Sequence, residues 1–273
     1  MTRLARRRTL AALAALLVLL PAVAQQGAPA PRRFDRWASR ELADGSESDT
    51  STRIAPAGTR VVRDVAYGSD PAQRFDVYVP AGPAAAAAPA PVIFFVHGGG
   101  WARGDKAMTQ VVEPKVSHWV GQGYVVISTD YRMLPTPVAQ QADDVAAGIA
   151  FAQAHAASWN GDPARFILMG HSAGAHLVGL LGAGAHTAAT PRPWLGAVLL
   201  DSAALDVPAI MAQRHWRLYD RAFGADPRQW TAVSPIAQLA GATRPMLAVC
   251  SSRRRESCAT RLNARAAGLR PAA

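Results

Sequence analysis

Two short stretches hold residue types that could do covalent chemistry together. Gly170-His171-Ser172-Ala173-Gly174 sets a serine between two glycines, with the apolar run Phe166 to Met169 before it and an Ala/Leu/Val-rich run after it. That layout predicts strand, sharp turn and helix. Ser172 then sits on the turn in a strained backbone conformation, tolerable only if the residues two before and two after have no side chain to collide. A serine presented this way is a candidate nucleophile. The second stretch, His97-Gly98-Gly99-Gly100-Trp101, follows the apolar run Val92 to Val96. Attack of a hydroxyl on an ester carbonyl puts negative charge on oxygen. Backbone N–H groups stabilise that charge when a loop without side chains lets them approach. Gly98 and Gly99 are candidate donors for such an oxyanion hole, and the Ala173 N–H at the start of the helix after the serine is a third. A glycine triplet alone could be a turn or a phosphate cradle; placed after a strand and upstream of a G-x-S-x-G turn, it becomes specific.

These stretches need a frame. Val92 to Val96, Tyr124 to Thr129, Phe166 to Met169, Leu195 to Leu200 and Met246 to Val249 are short and almost uniformly apolar, as parallel strands buried on both faces are. Between them the spacing predicts helices over 111–121, with Val112, Val116 and Trp119 inward, over 138–157, with Val145, Ile149 and Ala152 inward, and over 173–182. The alternation predicts a three-layer α/β fold with a mostly parallel sheet and right-handed crossovers. Upstream, Gln73 to Val79 alternates, with Phe75, Val77 and Val79 on one face and Arg74, Asp76 and Tyr78 on the other. With 61–67 as partner it predicts an N-terminal antiparallel hairpin with one wet face. Residues 206–236, with Trp216, Tyr219, Phe223 and Trp230, break the alternation and predict a small helical insertion over the carboxyl edge of the sheet.

The chain begins with Arg3, Arg6, Arg7 and Arg8, an uncharged run from Leu10 to Leu20, then Pro21-Ala22-Val23-Ala24. This is the pattern of a secretory signal peptide cut after Ala24, which implies a secreted or periplasmic protein. A retained anchor is the alternative, although the run is short for a membrane span, so no stable span is expected once the signal is cleaved. Residues 25–60, rich in Pro, Ala, Ser and Thr, are expected to be a flexible lead-in, and 61–273 the folded domain. Losing the four leader arginines lowers the formal charge from +10 to +6. The remaining positive charge is scattered and lacks interleaved aromatics, which argues against nucleic acid as a partner. Arg253-Arg254-Arg255 and the helically spaced Arg214, Arg217 and Arg221 are either solvated faces or anion sites. Cys250 and Cys258 could bridge in an oxidising compartment or stay as two thiols.

HGGGW at 97–101, Gly104-Asp105-Lys106, Asp130-Tyr131-Arg132 with Pro135 after it, Asp162-Pro163 and GHSAG at 170–174 resemble the esterase/lipase branch of the α/β-hydrolase superfamily. Within that branch the chain is similar to bacterial secreted carboxylesterases of the feruloyl/acetyl-xylan esterase-like type, with the kynurenine formamidases close by. The resemblance covers residues 61 to about 270. It implies covalent acyl transfer on a small-molecule ester, with no metal and no cofactor. Ser172 would attack, a histidine would take and return its proton, and a carboxylate would orient the histidine. It also implies the chain order serine, acid, histidine. The acid is then expected just beyond Met246 to Val249, where Glu256 is the only carboxylate, with Asp201 as the second candidate. All seven histidines precede Glu256. The resemblance further implies a strand, a histidine loop and a closing helix after residue 268, which the sequence through Ala273 does not supply. The expectation is therefore a shortened chain, without the C-terminal strand and helix, in which hydrolysis is crippled. An arylformamidase and a non-catalytic ligand-binding remnant are the alternatives.

Overall fold

Alternating strands and helices build one seven-stranded sheet in the computed structural model, which describes residues 55–81, 88–185, 187–239, 244–251 and 259–264, all within the unit formed by residues 41–273. In chain order the elements are β1 (Arg60–Ala66), β2 (Arg74–Val79), β3 (Ala90–Val96), α1 (Thr109–Gly121), β4 (Val125–Thr129), α2 (Val138–His155), a 3-10 turn (Ala156–Trp159), β5 (Gly161–His171), α3 (Ala173–Gly182) and β6 (Gly196–Leu200). Four short helices follow, α4 (Val207–Met211), α5 (Arg217–Phe223), α6 (Pro227–Ala232) and α7 (Pro235–Gln238), then β7 (Met246–Val249) and a last helix, α8, over 259–264. The strand order is β1-β2-β4-β3-β5-β6-β7. β2 pairs antiparallel with β1 and β4, and every other pairing is parallel.

Both faces of the central strands are covered, which is why their sequences look apolar throughout. On one face Val92, Phe94, Ile127 and Leu168 pack with Val145 and Ile149 of α2 and Leu177 of α3. On the other, Ile93, Phe95, Val126 and Met169 meet Val112, Val116 and Val120 of α1, spaced four apart as one helix face requires. Val120, not Trp119, completes that stripe; Trp119 packs at its margin.

The hairpin differs from expectation. β2 has no wet face: Asp76 and Tyr78 are as buried as Phe75 and Val77. The reason is that its second face is covered too, Tyr78 packing with Val112, Val116 and Val120 of α1, while β1 is the edge strand. Asp76 tolerates burial because Arg63 Nη1 lies 3.1 Å from one carboxylate oxygen and Lys106 Nζ 3.6 Å from the other. β5 also begins earlier than its apolar run, pairing at Gly161 with Ala90 before a register shift. The leader and residues 25–54 lie outside the described residues. Among the described residues no helix is long and apolar enough to cross a membrane.

Candidate active site

β5 ends at His171 and α3 begins at Ala173, leaving Ser172 as the whole turn, at φ 53 and ψ −114. A positive φ strains a residue with a Cβ, so the surroundings must hold it. Ser172 N–H donates to the Leu200 carbonyl at the end of β6 (2.8 Å), and the Ser172 carbonyl accepts from His176 N–H (3.1 Å) in the first turn of α3. The flanking glycines are required by packing. A Cβ on Gly170 would overlap the Gly174 backbone, and one on Gly174 would overlap the carbonyl oxygens of Val96 and His97. The helix therefore starts directly against the end of β3.

That contact brings the glycine loop to the serine. A Cβ on Gly98 would lie 3.0 Å from the Ser172 Cβ and 3.0 Å from the His171 carbonyl oxygen, so the two motifs touch. Gly99, Gly100 and Trp101 follow at φ 111, 63 and 60. The buried His97 ring sets the loop's direction, because its Nδ1–H donates to the Gly98 carbonyl (2.7 Å). In a trans peptide the next N–H points opposite to that carbonyl, so the Gly99 N–H is turned away from His97. Among the described residues the N–H groups of Gly98, Gly99 and Ala173 have no hydrogen-bond partner. Backbone donors without partners are rare in buried segments, and here three occur on Ala173, which follows the serine, on Gly98, which touches it, and on the next residue, Gly99. The Ser172 hydroxyl is likewise without a partner among these residues.

A polar scaffold behind the loop fixes its far end. Lys106 N–H donates to Asp130 Oδ1 (2.6 Å), and its ammonium lies 2.8 Å from Asp64 and 3.7 Å from Asp130. Burial works against the Lys106 charge, but its bond to Asp64 and the charges of Asp76 and Asp130 outweigh that, pushing its pKa up to about 12. The same bond lowers the Asp64 pKa. Arg132 grips Asp144 through Nε (2.8 Å) and Nη2 (2.6 Å). Gln141, a polar residue on the inward face of α2, donates to the carbonyls of Trp101 (3.1 Å) and Thr136 (2.9 Å). Sequence reasoning did not single out Gln141 or Asp144; a polar side chain on an apolar helix stripe was the available signal.

No histidine among the described residues bonds the Ser172 hydroxyl. His97 is engaged as above, and its Nε2 lies 3.5 Å from Asp130 Oδ1. His176 bonds Trp101 and Val233. His155 turns to the Phe151 carbonyl, His118 stacks edge-on to Trp119, and His215 in the insertion is held by Asp220 (2.9 Å) and the Gln213 carbonyl (2.6 Å). Its bond to Asp220, then that to Gln213, raises the His215 pKa. Asp201, the second candidate acid, directly follows β6 at φ 54 and accepts from the Ser251 N–H (2.6 Å) and hydroxyl (2.8 Å), tying the end of β6 to the end of β7. Glu256, Cys258 and Arg253 to Arg255 lie outside the described residues; Cys250 is half-buried at the end of β7. Arg214, Arg217 and Arg221 are exposed.

Comparison with known proteins agrees with this geometry. Residues 75–206 match the BD-FAE family. Over 118 residues the chain is 37% identical to "Probable isoprenylcysteine alpha-carbonyl methylesterase ICMEL1" of Arabidopsis thaliana, a match covering 43% of this chain and 24% of that protein. It is 38% identical over 125 residues to Esterase LipC of Mycobacterium tuberculosis, covering 44% and 29%. The chain thus spans about a quarter of the length of the curated relatives it matches. Esterase B from Lactobacillus rhamnosis has the same fold, with a TM-score of 0.68 at 20% identity over 86% of this chain and 78% of that one. A serine turn wedged against a glycine loop at the carboxyl edge of this sheet, together with these likenesses, gives the chain an α/β-hydrolase fold with a BD-FAE segment over residues 75–206.

Proposed function

We propose that the chain is a serine carboxylic ester hydrolase acting through an acyl-enzyme on Ser172. The observation that carries the reading is the set of three unpartnered N–H groups, on Gly98, Gly99 and Ala173, beside a serine held at positive φ. Ser172 Oγ would attack the ester carbonyl carbon, and the developing oxyanion would accept from those donors without any reorganisation of the loop. The alcohol then leaves, and water releases the acid from Ser172. The N-terminus of α3 adds positive potential at the same point.

The serine's proton needs an acceptor that no described residue supplies; this reading keeps Glu256 as the acid that would orient a histidine and expects hydrolysis by this chain to be weak. A site relying on the oxyanion hole and binding alone retains roughly 10³ to 10⁴ of rate over water, far below a complete triad. The arginine-rich leader adds the further proposal that the protein works outside the cytoplasm. The test is labelling with a fluorophosphonate probe. Labelling that disappears in Ser172→Ala supports an activated serine, whereas folded protein that never labels marks a ligand-binding remnant. Turnover of p-nitrophenyl acetate against N-formylkynurenine then separates an esterase from an arylformamidase.

A further inference from the structure

His176 stands out in α3, a helix otherwise built of Ala, Gly, Leu and Val. It is fully buried, edge-on to the Trp101 ring (5.5 Å, 88°) and against Phe223 (5.6 Å). A buried imidazole needs a partner for each nitrogen. Nδ1 accepts from the Trp101 indole N–H (3.3 Å), and Nε2–H donates to the Val233 carbonyl (2.7 Å). These partners fix the tautomer, since an indole N–H can only donate and a carbonyl can only accept. Burial keeps the ring neutral, pulling its pKa down to about 4.

Trp101 closes the stretch after Gly98; Gly99 and Gly100 adopt positive φ freely, but the positive φ of Trp101 persists only if the surroundings over-determine it. Its carbonyl is held by the Leu134 N–H (2.8 Å) and Gln141. Its ring is held by His176, Phe223 (4.9 Å) and Tyr219 (6.0 Å). His176 also donates its own N–H to the Ser172 carbonyl. One residue thus grips the glycine loop, the turn that carries the serine and the end of the helical insertion.

We propose that His176 is a positioning residue: by bonding Trp101 and Val233 at once it holds the Gly98 and Gly99 N–H groups in place beside Ser172. Its effect on catalysis rests on the esterase reading, whereas its effect on loop order does not. The experiment compares wild type, His176→Gln and His176→Leu by hydrogen-exchange mass spectrometry and by the rate of fluorophosphonate labelling. Leucine fills space without bonds, while glutamine supplies an acceptor oxygen and a donor NH2 group in one plane. His176→Leu is expected to speed exchange over residues 97–104 about tenfold, with β3 and β4 unchanged, and to slow labelling about tenfold, the order expected for one lost buried hydrogen bond. His176→Gln is expected to restore both. If His176→Leu does not fold, Trp101→Phe, which keeps a ring and removes the donor, should give the same local gain in exchange. Unchanged exchange over 97–104, an equal rise across the whole sheet, or a glutamine variant that behaves like leucine overturns the assignment. The expected exchange pattern in protein that never labels defeats the esterase reading and leaves His176 in its role.

Discussion

Gly174 lies so close beneath the end of β3 that a methyl group on it would overlap the Val96 carbonyl oxygen. Alanine in a helix ordinarily gains up to about 1 kcal/mol over glycine. Here that gain is overridden, because neither the β3 backbone nor the first turn of α3 can retreat without moving Ser172. Gly174→Ala is expected to lose about 1–3 kcal/mol, as over-packing does. Gly121, which closes α1 and has open space where its Cβ would be, is the control. Gly121→Ala should be neutral or slightly stabilising. Urea unfolding of the two variants checks the contrast in sign.

The serine turn was legible in the sequence for this same reason. Where backbone meets backbone, as at Gly170 and Gly174, the residue type is dictated locally and survives in the pattern. The parallel strands were legible because coverage on both faces leaves no polar position. β2 misled because Arg74, Asp76 and Tyr78 alternate like a solvated face, while the groups that let Asp76 be buried, Arg63 and Lys106, come from other segments. His176 was not legible, because its role depends on Trp101 and Val233, 75 and 57 positions away, a pairing no local pattern encodes. The acid was legible only through resemblance, and Glu256 lies outside the described residues.

His176 makes stability depend on acidity in a definite direction. Its folded pKa of about 4, set by burial and only partly opposed by the bond to Val233, lies below its ordinary value of 6.5. Between those pH values the unfolded chain binds the proton and the folded one does not. Stability from this group is therefore complete above pH 6.5, is lost as pH falls toward 4, and levels off below. The total is about 3 kcal/mol. Thermal unfolding from pH 7.5 to 4 should show His176→Gln losing less than wild type over that window. Parallel curves would remove His176 as the cause.

Lys106 is the hub that ties the segment after the glycine loop to β1, β2 and β4. Replacing it with methionine keeps its length and removes the charge that faces Asp64, Asp76 and Asp130. Asp64 is largely exposed and recovers water, but Asp76 is buried and already has its pKa raised by desolvation. The expected loss is about 2–4 kcal/mol, most of it from leaving the buried Asp76 carboxylate with Arg63 as the one cation described beside it, together with the Asp64 N–H. A double variant, Lys106→Met with Asp76→Asn, should recover part of it. Unfolding of the single and double variants measures the coupling, and additive losses would refute it.

β7 is the last strand of the described sheet, and Asn263 of α8 covers its outer side. The Pro245 and Val249 carbonyls accept from Ala197 and Asp201 of the β6 segment, so Ala248 faces the other way. The Asn263 amide meets it as a neighbouring peptide would, accepting from the Ala248 N–H (2.8 Å) and donating to its carbonyl (2.9 Å). An edge strand with free backbone groups is a template for pairing with another chain, and Leu247 and Val249, 53% and 46% exposed, add an apolar surface beside it. Asn263→Ala should therefore raise self-association by leaving both Ala248 groups without their partner. Sedimentation velocity at several concentrations should show a larger oligomer fraction for Asn263→Ala than for wild type or for Thr260→Ala, a substitution at an exposed position of the same helix. Equal association in all three would mean that the amide does not guard the edge.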